Sequence, residues 1–169
     1  MSDEQLRVVV SGSSWMGSGL GSIESALYRL FTQANDEIVI VAYTISSATP
    51  LLFEQLEAIL SRGVRIRCLI NRFPNLSKPV QHHFQSLQRR FPHLVKIYSF
   101  TPKSDEADLH AKIVLVDRYY ALVGSANLSL RGLLDNHELG VVIEGTGATN
   151  VAKAIDLLLA SPTVSLVDF

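Results

Sequence analysis

Leu109-His110-Ala111-Lys112-Ile113-Val114-Leu115-Val116-Asp117 is the stretch on which the fold of this 169-residue chain turns. It is rich in β-formers and predicts a strand over 109–117. Side chains on a strand alternate between faces, so His110 and Lys112 should point the same way. Asp117-Arg118-Tyr119-Tyr120 then predicts a turn, and Ala121-Leu122-Val123-Gly124-Ser125 a second strand of the same hairpin. Ser125 and Asn127 are also two apart, and the hairpin returns them to His110 and Lys112. Gly124 leaves room there for close backbone approach. Read without a gap, the segment is H-x-K-x4-D-x6-G-S-x-N, and it occurs once.

Outward from this hairpin, strands and helices alternate. Strands are predicted at 7–10, 37–43, 64–70, 95–98 and 138–143. Helical spacing runs over 23–34 through Ile23, Ala26, Leu27, Leu30 and Phe31. A second helix is predicted from Pro50 to about residue 61 and ends before Gly63. Two more are expected over 80–90, with Pro92 just beyond, and over about 149–160. Residues 11–22 are rich in Ser and Gly and read as a loop. This order predicts an α/β fold, a mixed and largely parallel sheet with helices on both faces. The length predicts one domain over 1–169.

The hairpin residues point to phosphoryl chemistry. A phosphodiester needs an attacking group, a charge clamp and a proton donor for the leaving oxygen. Neutral imidazole is a nucleophile able to split one hard step into two easier ones. Lysine offers a compact point charge for phosphate oxygens. Ser and Asn donors stabilise charge developing on those oxygens. A carboxylate at Glu138, on the 138–143 strand, could hold one imidazole nitrogen and set its tautomer.

His110, Lys112, Asp117, Ser125, Asn127 and Glu138, in that order, resemble the HKD motif of the phospholipase D superfamily. The segment is most similar to the small bacterial endonucleases of that superfamily with one motif per chain, and it covers about a fifth of this chain. The resemblance implies a phospholipase D-like fold and two motifs meeting across a twofold axis. One histidine then attacks phosphorus to form a phosphohistidine, while the other protonates the leaving oxygen and activates water. A chain with one motif is thereby implied to be a homodimer with one composite site, to which each subunit brings the same residues. Carried over residue by residue, His110, Lys112, Asp117 and Glu138 would be catalytic. Lys112, Ser125 and Asn127 would bind the phosphoryl group, with Glu138 orienting His110 and Asp117 supporting the site. The resemblance implies no metal and no cofactor, and the sequence offers no convincing Asp/Glu/His cluster.

Composition bounds the rest. Hydrophobic residues make up 47% of the chain, enough for a sizeable core. The single cysteine, Cys68, lies in an apolar run and reads as a buried, inert thiol. The polar, acidic start Met1-Ser2-Asp3-Glu4-Gln5 is unlike a signal peptide. No apolar run approaches the roughly 20 residues of a membrane span. A cytoplasmic protein is the expectation.

The net charge of −1 hides an asymmetry: nine basic and no acidic residues fall between Arg62 and Lys103. Extended to Arg131, the stretch holds twelve basic residues against Asp105, Glu106, Asp108 and Asp117. Such a region beside a phosphate-handling site suggests a polyanionic partner. Arg65, Arg67, Arg72, Lys78 and, in the 11–22 loop, Trp15 are therefore candidate nucleic-acid contacts, with DNA favoured and RNA the alternative. The bland reading scatters these charges over several faces. Three other readings stay open: a phospholipase D-type lipid hydrolase, a non-catalytic nucleic-acid-binding module, and a subunit of a larger defence or repair assembly.

Overall fold

The computed structural model describes residues 5–46, 50–103 and 107–169, with the backbone alone at Pro50. Asp105 and Glu106, counted in the charge tally, lie outside the described residues. In chain order the elements are β1 (Gln5–Ser11), β2 (Gly21–Ser22), α1 (Ile23–Gln33), β3 (Glu37–Ala42), α2 (Pro50–Ser61), β4 (Arg65–Asn71), α3 (Lys78–Arg90), β5 (Val95–Phe100), β6 (Lys112–Val116), β7 (Tyr120–Gly124), β8 (Glu138–Glu144), α4 (Thr146–Leu159) and β9 (Val164–Leu166).

The helices form where side-chain spacing and caps agree. Ser22 caps α1 by accepting the Ser25 N–H at 3.1 Å, and Ile23, Ala26, Leu27, Leu30 and Phe31 make its buried stripe. Just past α2, Gly63 takes φ 84°, a left-handed geometry that suits glycine and ends the helix. Arg89 and Arg90 close the last turn of α3, where cations favour the helix dipole.

The nine strands among the described residues join one sheet in the order β2-β1-β8-β7-β6-β3-β4-β5-β9. The sheet is mixed, as expected, but its weight lies differently. Only β1–β2, β3–β4 and β4–β5 pair in parallel, while the other five pairings are antiparallel. Part of the reason is local: β6 and β7 are joined by the short turn 117–119, which forms a hairpin rather than a crossover, and β8 returns antiparallel to β7 after 125–137.

Helices flank both faces. Along β3, Ile38, Ile40 and Ala42 turn to the core under α1, α2 and α3, while Val39 and Val41 turn to the core under α4. All six residues of β3 are buried, so the strand reads as a continuous apolar run rather than an alternating one. Fully burying one such Val or Ile side chain contributes about 1.5–3 kcal/mol. Cys68 is fully buried and its thiol is pushed up to about 12 by desolvation, which keeps it inert. Among the described residues no helix is long and apolar enough to cross a membrane.

Strand direction decides what stands at each end of the sheet. Ala42 pairs with Ile70, and Asn71 with Phe100, so β3, β4 and β5 end together. Val41 opposite Ile113 and Lys112 opposite Gly124 bring the start of β6 and the end of β7 to that same edge. Gly124 opposite Gly140 and Ser11 opposite Glu138 add the start of β8 and the end of β1. Crevices outside the carboxyl ends of parallel strands are where α/β sheets place their sites.

Candidate active site

His110, Lys112, Ser125, Asn127 and Glu138 stand along this edge. The predicted strand 109–117 is shorter in the structure: β6 begins at Lys112, and residues 107–111 carry no ladder. His110 therefore precedes the strand, yet it remains beside Lys112. Lys112 Nζ lies 2.8 Å from His110 Nδ1 and donates to the His110 carbonyl at 2.6 Å. Burial lowers the Lys112 pKa below the usual lysine value, and the charge of Glu138 partly offsets this.

Tyr43, just past β3, packs on both. Its ring centroid lies 4.7 Å from that of His110, and Lys112 Nζ sits 5.4 Å from the Tyr43 centroid. Beside them opens a cavity of about 520 Å³ lined by Tyr43, Thr44, Asn71, Arg72, Asn75, Leu76 and Asp108. Tyr43, Asn71 and Asp108 belong to no motif in the sequence. The available signal was their position, polar residues directly following buried parallel strands or directly preceding the motif.

Across the hairpin, the Glu138 carboxylate accepts from the Ser125 hydroxyl and, at 3.3 Å, from Asn136 Nδ2. Leu139 N–H donates to Ser125 Oγ at 3.2 Å. Within the chain, then, Glu138 holds Ser125 and Asn136. Asn127 keeps a buried Oδ1 without a hydrogen-bond partner in the structure. Gly124 permits the close approach expected of it, because an added Cβ would fall 2.7 Å from the Leu139 carbonyl oxygen.

The link from β7 to β8 is a π turn over Arg131–Asp135. Buried Ser11 ties it down by donating to the carbonyls of Gly132 at 3.0 Å and Asn136 at 2.9 Å. His137 reaches the loop after β1: Ser14 N–H donates to its Nε2 at 3.1 Å, and its ring lies 5.6 Å from Trp15. Trp15 therefore borders the same edge as the site. Arg72 is also at this edge, bound through Nε to Asp108 at 2.8 Å, and Lys78 opens α3 just beyond.

Asp117 stands apart. Asp117 is five residue steps from Lys112, at the far end of β6, roughly 16 Å of strand away. Its carboxylate accepts the backbone N–H groups of Asn35, Asp36 and Glu37, each at 2.9 Å. Three donors at the start of β3 thus claim it, at the opposite end of β6 from His110 and Lys112. Arg65 and Arg67 are at that remote end too. Arg65 pairs with Asp36 at 2.8 Å, and Arg67 with Glu37 at 2.8 Å through two parallel bonds. Arg90–Glu57 and Arg118–Asp156 consume further charge from the basic stretch. Chain folding brings acids from elsewhere in the sequence to these arginines, so the sequence asymmetry does not carry over into one basic face.

Residues 27–157 match the model of the family described as "Cardiolipin synthase, PLD-like domain". The chain belongs to the phospholipase D-like family. The family's relatives include the DISARM protein DrmC of Bacillus paralicheniformis, 27% identical over 66% of this chain and 45% of its own length. Cardiolipin synthase A of Serratia proteamaculans is 29% identical over 86% of this chain and 28% of its own. The chain thus spans less than half the length of these relatives.

Solved family folds superpose closely. Nuc of Salmonella typhimurium, a phospholipase D family member, gives a TM-score of 0.69 at 18% identity, covering 92% of this chain and 91% of Nuc. NucT of Helicobacter pylori gives 0.69 at 16%, covering 99% and 100%. Phosphatidylserine synthase of Haemophilus influenzae gives 0.76 at 13%, covering 99% of this chain but 41% of the synthase. At these identities the likeness shows the shared fold.

Proposed function

We propose that this chain is a metal-independent phosphodiesterase acting on nucleic acid through a phosphohistidine, with one active site shared across a homodimer. Each subunit would contribute a single phospholipase D-like domain. The observation that carries the reading is the His110–Lys112 pair, an imidazole with an ammonium 2.8 Å from its Nδ1 at the open edge of the sheet.

An anionic phosphate is a stronger partner for an ammonium than a neutral imidazole is. Substrate binding therefore draws Lys112 onto the phosphate and frees the imidazole. One His110 nitrogen attacks phosphorus, a P–N bond forms, and the P–O bond to the leaving nucleotide breaks. The partner subunit's imidazolium gives that oxygen its proton. The same imidazole then takes a proton from water, whose oxygen displaces the first histidine and restores it. Ser125, held by Glu138, and Asn127 stabilise the charge on the phosphoryl oxygens. The second histidine would come from a second copy, since this sequence carries one H-x-K.

A lipid substrate is the second reading, favoured by the cardiolipin synthase description of the family model. The full chain is incubated in excess chelator with labelled single- and double-stranded DNA and RNA, and separately with detergent-dispersed phospholipid. Polymer cleavage by wild type and not by His110→Ala supports the nuclease reading and names its polymer. Phospholipid hydrolysis with every polymer left intact overturns it in favour of lipid.

A further inference from the structure

The residues that lead into His110 lack a strand's support. No ladder holds residues 107–111, so the imidazole depends on side chains reaching in from the ends of β3 and β4. Asn71, the last residue of β4, is buried at 6% exposure and is one of few buried polar residues. Its Oδ1 accepts the Leu109 N–H at 3.0 Å, and its Nδ2 donates to Asp108 Oδ1 at 3.3 Å. Arg72 Nε donates to the same Asp108 oxygen at 2.8 Å. Leu109 itself is buried in the core under α4. The two residues before His110 are thus each bonded to the carboxyl end of β4, while Tyr43 at the end of β3 packs on the His110 ring.

We infer that Asn71 is a positioning residue for the reaction, clasping Asp108 and Leu109 so that the His110 imidazole is held at the reacting phosphorus. The inference rests on the phosphohistidine reading for its kinetic consequences, though not for its geometry. Both hydrogen bonds of the carboxamide are used with fixed polarity, so the clasp needs an acceptor toward Leu109 and a donor toward Asp108. The Asp108 carboxyl is held below its ordinary value, first by the Arg72 bond and then by the Asn71 bond, which agrees with a carboxylate receiving both donors. On this reading Asn71 acts through the placement of His110, by its bonds to Asp108 and Leu109.

The polarity supplies the test. Asn71→Asp keeps the acceptor toward Leu109 but sets two carboxylates against each other. Adding Asp108→Asn restores a donor between the two side chains and still offers Arg72 an oxygen. Turnover of wild type, both single variants and the double variant is measured on a simple aryl phosphodiester and on DNA, beside the His110 ring resonances in heteronuclear NMR. The expected result is a kcat about 10- to 100-fold lower in Asn71→Asp, as a displacement near 1 Å would produce. KM should stay within about threefold, the His110 resonances should shift or broaden, and the double variant should recover most of both. Wild-type kcat and unmoved His110 resonances in Asn71→Asp would overturn the inference, as would a loss that the double variant does not recover. Should Asn71→Asp not fold, Asp108→Ala, which removes the acceptor of Asn71 and Arg72 at a more exposed position, decides on the same two readouts: the same loss of kcat and shift of the His110 resonances support the clasp, and wild-type values of both overturn it. If wild type cleaves no phosphodiester, the proposed function fails, and the ring resonances alone decide the clasp.

Discussion

The two ends of the β6–β7 hairpin hold similar kinds of residue and treat them in opposite ways. At the turn end, Asp117 is saturated by three backbone N–H groups, and Arg65, Arg67 and Arg118 each meet a carboxylate. At the open end, Lys112 meets an imidazole and a carbonyl, Glu138 meets a hydroxyl and an amide, and Asn127 Oδ1 has no hydrogen-bond partner among the described residues. Charge at the turn end is spent on holding β3, β4, β6 and α4 together. At the open end Arg72 still meets Asp108, but Lys112 is left with neutral partners that a phosphate would displace. Folding energy and chemistry have been separated along one short strand.

The largest effect should come from breaking the open end. His110→Ala is expected to lower turnover by at least about 10²–10⁴-fold, since the histidine serves as nucleophile and as acid. Its denaturation midpoint and its sedimentation should match wild type. A variant retaining wild-type rates would show that the open end is not the reactive one.

Gly124→Ala breaks the line between the two ends. The new Cβ meets backbone, not a flexible side chain, so a loss of about 1–3 kcal/mol is expected in urea unfolding. Ser125 should move with it, lowering the activity per folded molecule as well.

Asp117→Ala should do the reverse of His110→Ala. Removing an acceptor shared by three N–H groups should cost about 1.5–3 kcal/mol, read as a lower unfolding midpoint. Activity per folded molecule should remain within about twofold. A large kinetic loss at unchanged stability would return Asp117 to the catalytic group.

Lys112 sharpens the comparison through pH. Its pKa is lowered by desolvation, so it gives up its proton earlier than an ordinary lysine as pH rises. The charge clamp should fade on the alkaline side, and kcat/KM should fall there at a pH below the normal lysine range. Stability moves the other way in that window: the folded state binds this proton less tightly than the unfolded one, so unfolding free energy rises slightly with pH. Lys112→Arg should extend the activity plateau to higher pH. An unchanged alkaline limb in that variant would exclude Lys112 as its source.

The smallest effect belongs to the turn end. Arg65→Ala should alter nucleic-acid affinity by less than about twofold, and stability by no more than about 1 kcal/mol, because its exposed pair with Asp36 is screened by solvent. A marked loss of salt-dependent binding would place the polyanion on that end.

What the sequence reveals and what it hides divide along the same line. The helices and β1, β3, β4, β5, β7 and β8 are legible because apolar spacing, Pro50, Gly63 and Pro92 act locally. The grouping of His110, Lys112, Ser125, Asn127 and Glu138 is legible because a hairpin folds on itself. β2, with two residues, and β9, with three, carry too little pattern to be seen. The capping role of Asp117 depends on Asn35–Glu37, some eighty residues away, and the pairing of Arg67 depends on a strand thirty residues before it. Asn71 and Tyr43 are quiet for the same reason: their partners lie across the sheet edge, not along the chain.

The central claim is that His110 forms a covalent bond to phosphorus. The direct measurement is rapid quench under alkaline conditions during turnover of a labelled DNA phosphodiester in excess chelator, followed by peptide mass spectrometry. The account predicts an acid-labile phosphoryl adduct on His110, absent from His110→Ala. Steady turnover with no adduct on any histidine, together with an active His110→Ala, would contradict it.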